Sequence, residues 1–145
     1  ITRLPSINYK SPNELFTIIE KNDSIYIRQQ KSKKEIKTRF TSKKILQIGW
    51  AENNKHLIML LKSKDQLKQS PNDLEKTLLA IYDLQKKKTV KMFETVGYKR
   101  FVLIGDFLIF DNGFARDSHI EIFKLESLSN YKTIKINGGC GLRNI

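Results

Sequence analysis

The chain has 145 residues, of which 39% are hydrophobic and 29% charged, a composition that fits one globular domain and excludes a disordered chain. No apolar run approaches the roughly 18 residues that a membrane helix needs, so the sequence excludes a membrane-spanning helix. Twenty-seven Lys and Arg against fifteen Asp and Glu give a formal charge of +12, which favours an acidic partner, although an AT-rich genome explains a lysine-rich chain equally well.

The ends of the sequence and its cysteine content say little about location. The one cysteine, Cys140, cannot form an internal disulfide, which favours a reducing, cytoplasmic compartment. The first residue is Ile1 rather than Met, so both a removed targeting peptide and a longer parent chain stay open.

The first forty residues predict short strands joined by turns. An extended run at 7–9 is followed by the turn SPNE at 11–14, where Pro12 presets its own φ. Strands are predicted at 15–20, 25–29 and 35–40, with turns at 21–24 and 30–34. Ser11, Pro12 and Glu14 also resemble a helix N-terminus, but the next unit has the same layout without a capping signature, which favours strands.

The second unit is the clearest. Strands are predicted at 45–50, 56–61, 77–84 and 89–94. The turn cluster AENNK lies between the first two strands, and the turn cluster QKKK between the last two. The polar segment from Ser63 to Thr77 is a long loop in which Ser70 and Pro71 could begin a short helix, and a longer helical interpretation stays open.

The third unit repeats the order in weaker form. Strands are predicted at 99–104, 107–110, 119–125 and 131–136, with a tight turn at Gly105 and Asp106 and a loop at 111–118. Ile27, Ile81 and Ile122 occupy equivalent third strands, and the repeat length of roughly 40 to 55 residues is typical of four-stranded propeller blades. The prediction is therefore one all-β repeat domain, 1–145, of about three consecutive four-stranded antiparallel meanders, with units at 1–40, 45–94 and 99–136 and a further strand starting within 137–145.

Two stretches in the second unit carry a resemblance to a known family. Trp50 followed by AENNK resembles the turn between the first two strands of a WD40-type β-propeller blade, and Ile81 to Leu84 resembles that family's closing aromatic-Asp signature. The resemblance implies a β-propeller that presents rigid loops for protein interaction. Because closed propellers have about 4 to 8 blades, the remaining blades must come from a longer chain or from other copies, unless the strands form a β-sandwich instead.

Alternation along the strands predicts which side chains form the core between the sheets. Truncating any of them should destabilise the fold. The predicted core residues are Trp50, Leu57, Met59, Ile81, Phe93, Val102, Ile104, Phe107, Ile109, Ile120 and Ile122.

The sequence contains no pattern typical of catalysis. His56 and His119 stand near strand ends without neighbouring Cys or acidic residues at ligand spacing, and the glycines around Cys140 lack a following helix. We therefore predict no catalytic residue, no metal site and no cofactor, and a chain that is not itself an enzyme.

Function is predicted as protein binding. The leading hypothesis is a non-enzymatic scaffold module that binds another, acidic protein; the alternatives are a nucleic-acid or polyanion binder and a portion of a larger propeller enzyme. Homo-oligomer formation is expected if the chain is complete. The lysine-rich turns should gather on one rim, and the loops at 63–77 and 111–118 should add a partner surface. The predicted partner-binding residues are Lys31, Lys33, Lys34, Lys86, Lys87, Lys88, Gln66, Asn72, Asp111 and Arg116.

Overall fold

The computed structural model describes residues 10–62, 76–96, 100–112 and 119–135. These residues form eleven β-strands and one short 3-10 turn, Ser42–Lys44, between the third and fourth strands. The strands are β1 (Phe16–Lys21), β2 (Ser24–Gln29), β3 (Glu35–Thr41), β4 (Ile45–Trp50), β5 (His56–Lys62), β6 (Lys76–Asp83), β7 (Lys88–Val96), β8 (Phe101–Ile104), β9 (Phe107–Asn112), β10 (His119–Lys124) and β11 (Ser129–Lys135).

The strands form three antiparallel sheets in chain order. The first sheet has the order β1-β2-β3, the second β4-β5-β6-β7 and the third β8-β9-β10-β11. The predicted all-β, propeller-like array of meanders is therefore confirmed. Within the described residues the three sheets do not close into a ring. Strand β6 covers residues 76–83, so the short helix that Ser70 and Pro71 could begin does not include them, and residues 63–75 lie outside the described residues.

Equivalent turns repeat from sheet to sheet. The backbone N–H of Ser11 donates to Phe16 O at 2.9 Å, and that of Ala51 donates to His56 O at 3.0 Å. Glu14 and Asn54 occupy the same place in these two turns, and both have a positive φ, of 60° and 59°. Local backbone geometry thus establishes the repeat even where the residue types differ.

A second set of turns fixes the alignment of the three units. The backbone N–H groups of Gln30, Leu84 and Leu125 each donate a hydrogen bond of 2.9 Å. The acceptors are the carbonyl groups of the residues just before β1, β5 and β9, namely Leu15, Lys55 and Asp106. Counting back three residues from each donor makes Ile27, Ile81 and Ile122 equivalent, as the sequence predicted.

Two apolar layers hold the sheets together. The first lies between the first and second sheets and includes Ile27, Trp50 and Tyr82; the second lies between the second and third sheets and includes Ile81 and Phe110. The second sheet is therefore apolar on both faces. This explains why β5 is buried from His56 through Leu61 instead of alternating.

Strands β4 and β8 approach closely between the second and third sheets. A Cβ on Gly49 would lie 3.3 Å from both Leu103 Cδ1 and Phe101 Cε2, which explains a glycine inside a strand. The Gln47 side chain bridges the two sheets, because Nε2 donates to Phe101 O and Oε1 accepts from Phe101 N, each at 2.9 Å. This pair of bonds satisfies backbone groups that the sheets do not pair.

The predicted core is correct in the second unit and out of phase in the third. Trp50, Leu57, Met59 and Ile81 are buried, whereas Ile104 is 58% exposed. The other third-unit positions predicted as core are only half-buried, as is Phe93. The buried side of the third sheet is the opposite one, formed by Phe101, Leu108, Phe110, Phe123 and Leu125. Both sides of these strands are apolar, so alternation alone cannot select the packed side.

The two outer faces of the array differ in character. On the first sheet, the Glu35 carboxylate accepts from Lys21 Nζ and Arg28 Nη2 at 2.6 Å each, and Lys21 lies over the Tyr26 ring. These hydrogen bonds, from Lys21 and then Arg28, hold the pKa of Glu35 below its usual range. On the third sheet the outer face is largely apolar and partly exposed; besides Asp111, Lys124 and Lys132 it includes Val102, Ile104, Phe107, Ile109, Ile120, Ile122 and Ile134.

No helix in the described part of the chain is long and apolar enough to span a membrane.

Trp50→Ala tests the layer between the first and second sheets. Trp50 is 7% exposed and stacks near Phe16, with ring centroids 6.4 Å apart, so truncation should lower the free energy of unfolding by about 3 to 5 kcal/mol. Urea unfolding measures the change. The control is Met92→Ala on β7, where the side chain is 47% exposed and a change within about 0.5 kcal/mol is expected. Equal losses in the two variants would contradict the packing.

Candidate functional site

The turns at one end of the three sheets lie side by side. The backbone N–H of Asn13, in the turn before β1, donates to Asn54 Oδ1 at 2.8 Å, which joins the first and second sheets. Asn53 Nδ2 lies 3.3 Å from Asp106 Oδ1, which joins the second and third. The lysine-rich turns before β3 and β7 are at this same end, because strands alternate in direction along each meander. Polar side chains from adjoining sheets therefore meet here.

A buried histidine sits at the centre of this end. His56 is 5% exposed, and its Nδ1 lies 2.8 Å from Asn53 Nδ2. Asn53 Oδ1 accepts from the backbone N–H groups of Lys55 and His56, which orients the amide so that Nδ2 faces the ring. Nδ1 must then accept, so the neutral ring carries its proton on Nε2, which lies 3.7 Å from Asp83 Oδ2.

Burial and neighbouring charges act in opposite directions on His56. Desolvation lowers its pKa below the usual 6.5, and the carboxylates of Asp83 and Asp106 only partly offset that effect. Asp83 Oδ1 also accepts from the N–H groups of Gln85 and Lys86 at 2.9 Å, and Asp106 Oδ2 accepts from Glu126 N at 3.1 Å. The cluster ties two turns of different sheets to one ring.

The His56 cluster borders a mixed-charge cleft between the second and third sheets. Its volume is about 440 Å³, and it is lined by Asn53, Lys55, His56, Asp83, Lys86, Asp106, Glu126 and Leu128. Among the residues that the structure describes, no group of three or more His, Cys, Asp or Glu side chains is arranged to hold a metal ion. The charges of this cleft largely balance one another, so it favours neither anions nor cations.

A second cleft, between the first and second sheets, is basic. Its volume is about 340 Å³, and it is lined by Lys37, Thr38, Arg39, Phe40, Tyr82, Lys87, Lys88 and Thr89. Its apolar part is the edge-to-face pair of Phe40 and Tyr82, whose ring centroids are 6.4 Å apart. No carboxylate lines this cleft. We call it the basic cleft.

The predicted lysines fall into different environments at this end. Lys31, Lys33 and Lys34 are exposed in the turn between β2 and β3. Of the other three, Lys86 lines the mixed-charge cleft, whereas Lys87 and Lys88 line the basic cleft. Lys33 and Lys87 are equivalent and share a positive φ, of 59° and 54°. The shared end of the sheets agrees with the predicted rim, and the binding role of the six lysines stays a prediction.

The other predicted partner-binding residues lie elsewhere. Gln66, Asn72 and Arg116 are outside the described residues. Asp111 is 3% exposed and lies within β9 opposite Ile120, so the strand continues through the position where the sequence predicts a loop. Its burial does not fit the exposed partner contact that was predicted.

Sequence reasoning missed Lys37 and Arg39. They stand in a predicted strand, where alternating cations are typical of a solvated face. Their position depends on a break in pairing: Tyr26 pairs with Lys37 but Ser24 pairs with Thr41, so β3 carries two extra residues over this interval. No sequence signal marks such a bulge, which lies beside the residues of β3 that line the basic cleft.

Comparisons with solved structures place the fold. The Pyrococcus horikoshii acylaminoacyl peptidase matches with a TM-score of 0.65 and 15% identity over 90% of this chain and 24% of the peptidase. The β-propeller domain of the Trilobed protease from Pyrococcus furiosus matches with a TM-score of 0.61 and 16% identity over 90% of this chain and 42% of that domain's chain. The fold is of the β-propeller type. No protein-family model matches the sequence, and a search of curated proteins finds no match.

These matches correct two predictions. The neighbours are propellers of peptidases, which supports a propeller but not WD40 repeats in particular. The prediction that the chain is not an enzyme is wrong as it stands, because its structural neighbours are enzymes, of which it corresponds to a propeller fragment. The chain spans about a quarter of the length of the acylaminoacyl peptidases that it matches.

The low pKa of His56 predicts a particular loss of stability in mild acid. Because the unfolded chain binds the proton more tightly than the folded one, stability should be constant above about pH 7.5 and fall as the pH drops below 6.5. Glu35, whose pKa lies below 4.5, does not contribute in this window. His56→Gln should remove the slope between pH 7.5 and 5.5 in urea unfolding; an unchanged slope would mean that another group is responsible.

Proposed function

We propose that this chain is the propeller portion of a larger enzyme of the peptidase class. Support comes from the similarity to two peptidase propellers and from the fraction of those longer chains that it covers. In this proposal the three sheets form a rigid wall of the enzyme, and the polar ends of the sheets face a neighbouring domain or the peptide substrate. The apolar outer face of the third sheet is the observation that carries the proposal.

Three sets of equivalent residues explain why that face indicates a further sheet. Ile27 and Ile81 are fully buried because each packs on the next sheet along the chain, whereas their equivalent Ile122 is only half-buried. In the second set, Ile18 and Ile58 are buried, whereas the equivalent Ile109 is only half-buried.

In the third set, Ile25 and Leu79 are 0% and 1% exposed, whereas the equivalent Ile120 is only half-buried. The third sheet therefore offers the same apolar side that the first two use for packing. A fourth blade, packed as the third packs on the second, would cover it.

A second candidate function is the binding of a separate acidic protein or of nucleic acid, carried by the exposed lysines of the turn between β2 and β3. This role is compatible with a propeller inside an enzyme, since different surfaces are used.

Ile109→Lys tests whether the outer face of the third sheet is covered in the full-length protein. A charge placed between two packed sheets should destabilise the propeller by about 3 to 5 kcal/mol, measured by urea unfolding. The control is Ile19→Lys on the polar outer face of the first sheet, where a cost of about 1 kcal/mol or less is expected. An Ile109→Lys variant with an unchanged free energy of unfolding would show that no fourth blade covers this face.

Enzymatic activity is tested separately. The full-length protein should hydrolyse N-acylated peptides, the substrate class named for its structural neighbours, with release of the acylated amino acid followed by mass spectrometry. Hydrolysis of peptides with a free N-terminus instead would keep the peptidase class and change the substrate. No hydrolysis of either, by a folded protein, would contradict the proposal.

A further inference from the structure

We infer that the basic cleft between the first and second sheets binds a small ligand carrying two or more phosphate groups. Its cationic lining consists of Lys37 and Arg39 from the bulged part of β3, and Lys87 and Lys88 from the turn into β7. The inference does not depend on the proposed peptidase activity, because the cleft is formed entirely by these two blades.

No carboxylate lines the cleft, and no ion pair among the described residues involves its four cations. The nearest described carboxylate is that of Asp83, which pairs with Lys88 across β6 and β7 and acts on Tyr82. The four cations thus share one cleft lining that contains no carboxylate, and like charges in one lining repel one another. A multiply charged anion relieves this repulsion, whereas a single carboxylate neutralises only one of the four charges.

The geometry of both strands departs from regular pairing at the cleft. In β3 the two extra residues lie between Lys37 and Thr41. In β7 the pairing with β6 shifts between Ile81↔Lys91 and Tyr82↔Thr89, which leaves one extra residue next to Thr89. Bulges of this kind re-aim side chains and are frequent beside functional sites. Here the two bulges lie beside residues that line the cleft, Thr38 to Phe40 in β3 and Thr89 in β7.

The floor of the cleft strengthens the attraction. Tyr82 is 3% exposed and Phe40 is half-buried, so the rings exclude water from one side. Burial, and then the charge of the Asp83 carboxylate, raise the pKa of the Tyr82 hydroxyl above 10, which keeps it protonated and able to donate. Hydrogen bonds to an anion are stronger where water is partly excluded.

The donors fit phosphate better than other anions. Arg39 supplies a planar set of five N–H donors and each lysine supplies three, and a phosphate group has three oxygens that accept in different directions. A volume of about 340 Å³ is near the lower limit of small-molecule sites, which fits a short phosphate chain rather than a nucleic-acid duplex.

Binding of inorganic tripolyphosphate to the full-length protein tests the inference. Isothermal titration calorimetry should show one site, with citrate bound at least roughly tenfold more weakly, since its carboxylates offer fewer acceptor oxygens. In NMR spectra the amide signals of residues 37–40 and 87–89 should shift. No binding of tripolyphosphate, or equal binding of citrate, would overturn the inference.

Three double variants with equal loss of charge locate the site. Lys37→Gln with Arg39→Gln, and Lys87→Gln with Lys88→Gln, should each weaken tripolyphosphate binding by roughly tenfold or more, because each removes two charge-assisted partners. The matched control is Lys31→Gln with Lys34→Gln, two exposed lysines outside the cleft lining, for which a change of less than about twofold is expected.

Two outcomes would replace the cleft by a different explanation. Equal weakening in all three variants would show that binding follows net charge alone. Tighter binding of duplex DNA, with a steep salt dependence and the same loss in the control variant, would assign the lysine-rich turns to nucleic acid instead. Peptidase activity is measured in a separate assay. Its presence or absence does not change what the binding results say about the basic cleft.

Discussion

The structure depends on one packing constraint: the second sheet is covered on both of its faces. A sheet covered on one face alternates between apolar and polar residues, whereas β5 is apolar from Leu57 to Leu61 because alternate side chains enter different layers. Since Leu57, Met59 and Leu61 pack toward the first sheet and Ile58 and Leu60 toward the third, the order of the three sheets follows from this strand. The turns that bring Asn13, Asn53 and Asp106 together follow in turn from that stacking.

The same constraint explains which features of the fold could be predicted from the sequence and which could not. Strand positions, turn positions and the equivalence of Ile27, Ile81 and Ile122 were predictable, because they depend on local alternation and turn chemistry. The packed side of the third sheet was not, because β9 is apolar on both sides and only the neighbouring sheet decides which one is covered. The basic cleft was not predictable either, since it lies between two sheets and the bulge in β3 beside Lys37 and Arg39 leaves no local signature.

Two parts of the array bear on function: the outer faces of the first and third sheets, and the polar end where the turns meet. The outer face of the third sheet is largely apolar, whereas Lys21, Arg28 and Glu35 form ion pairs on that of the first. Under the proposed function, a further blade covers the apolar face. At the polar end, balanced charges around His56 join two sheets, while unbalanced charges beside Tyr82 leave a place for an anion.

The most direct test of the account is the chemical accessibility of the two outer faces in the folded full-length protein. Single cysteines at Ile109 and at Ile19, each made with Cys140 replaced by serine, are treated with a maleimide reagent under native conditions. We expect the Ile19→Cys protein to be labelled faster than the Ile109→Cys protein under native conditions, and both to be labelled equally after unfolding. Equally rapid labelling of the two folded proteins would show that no further blade covers the third sheet.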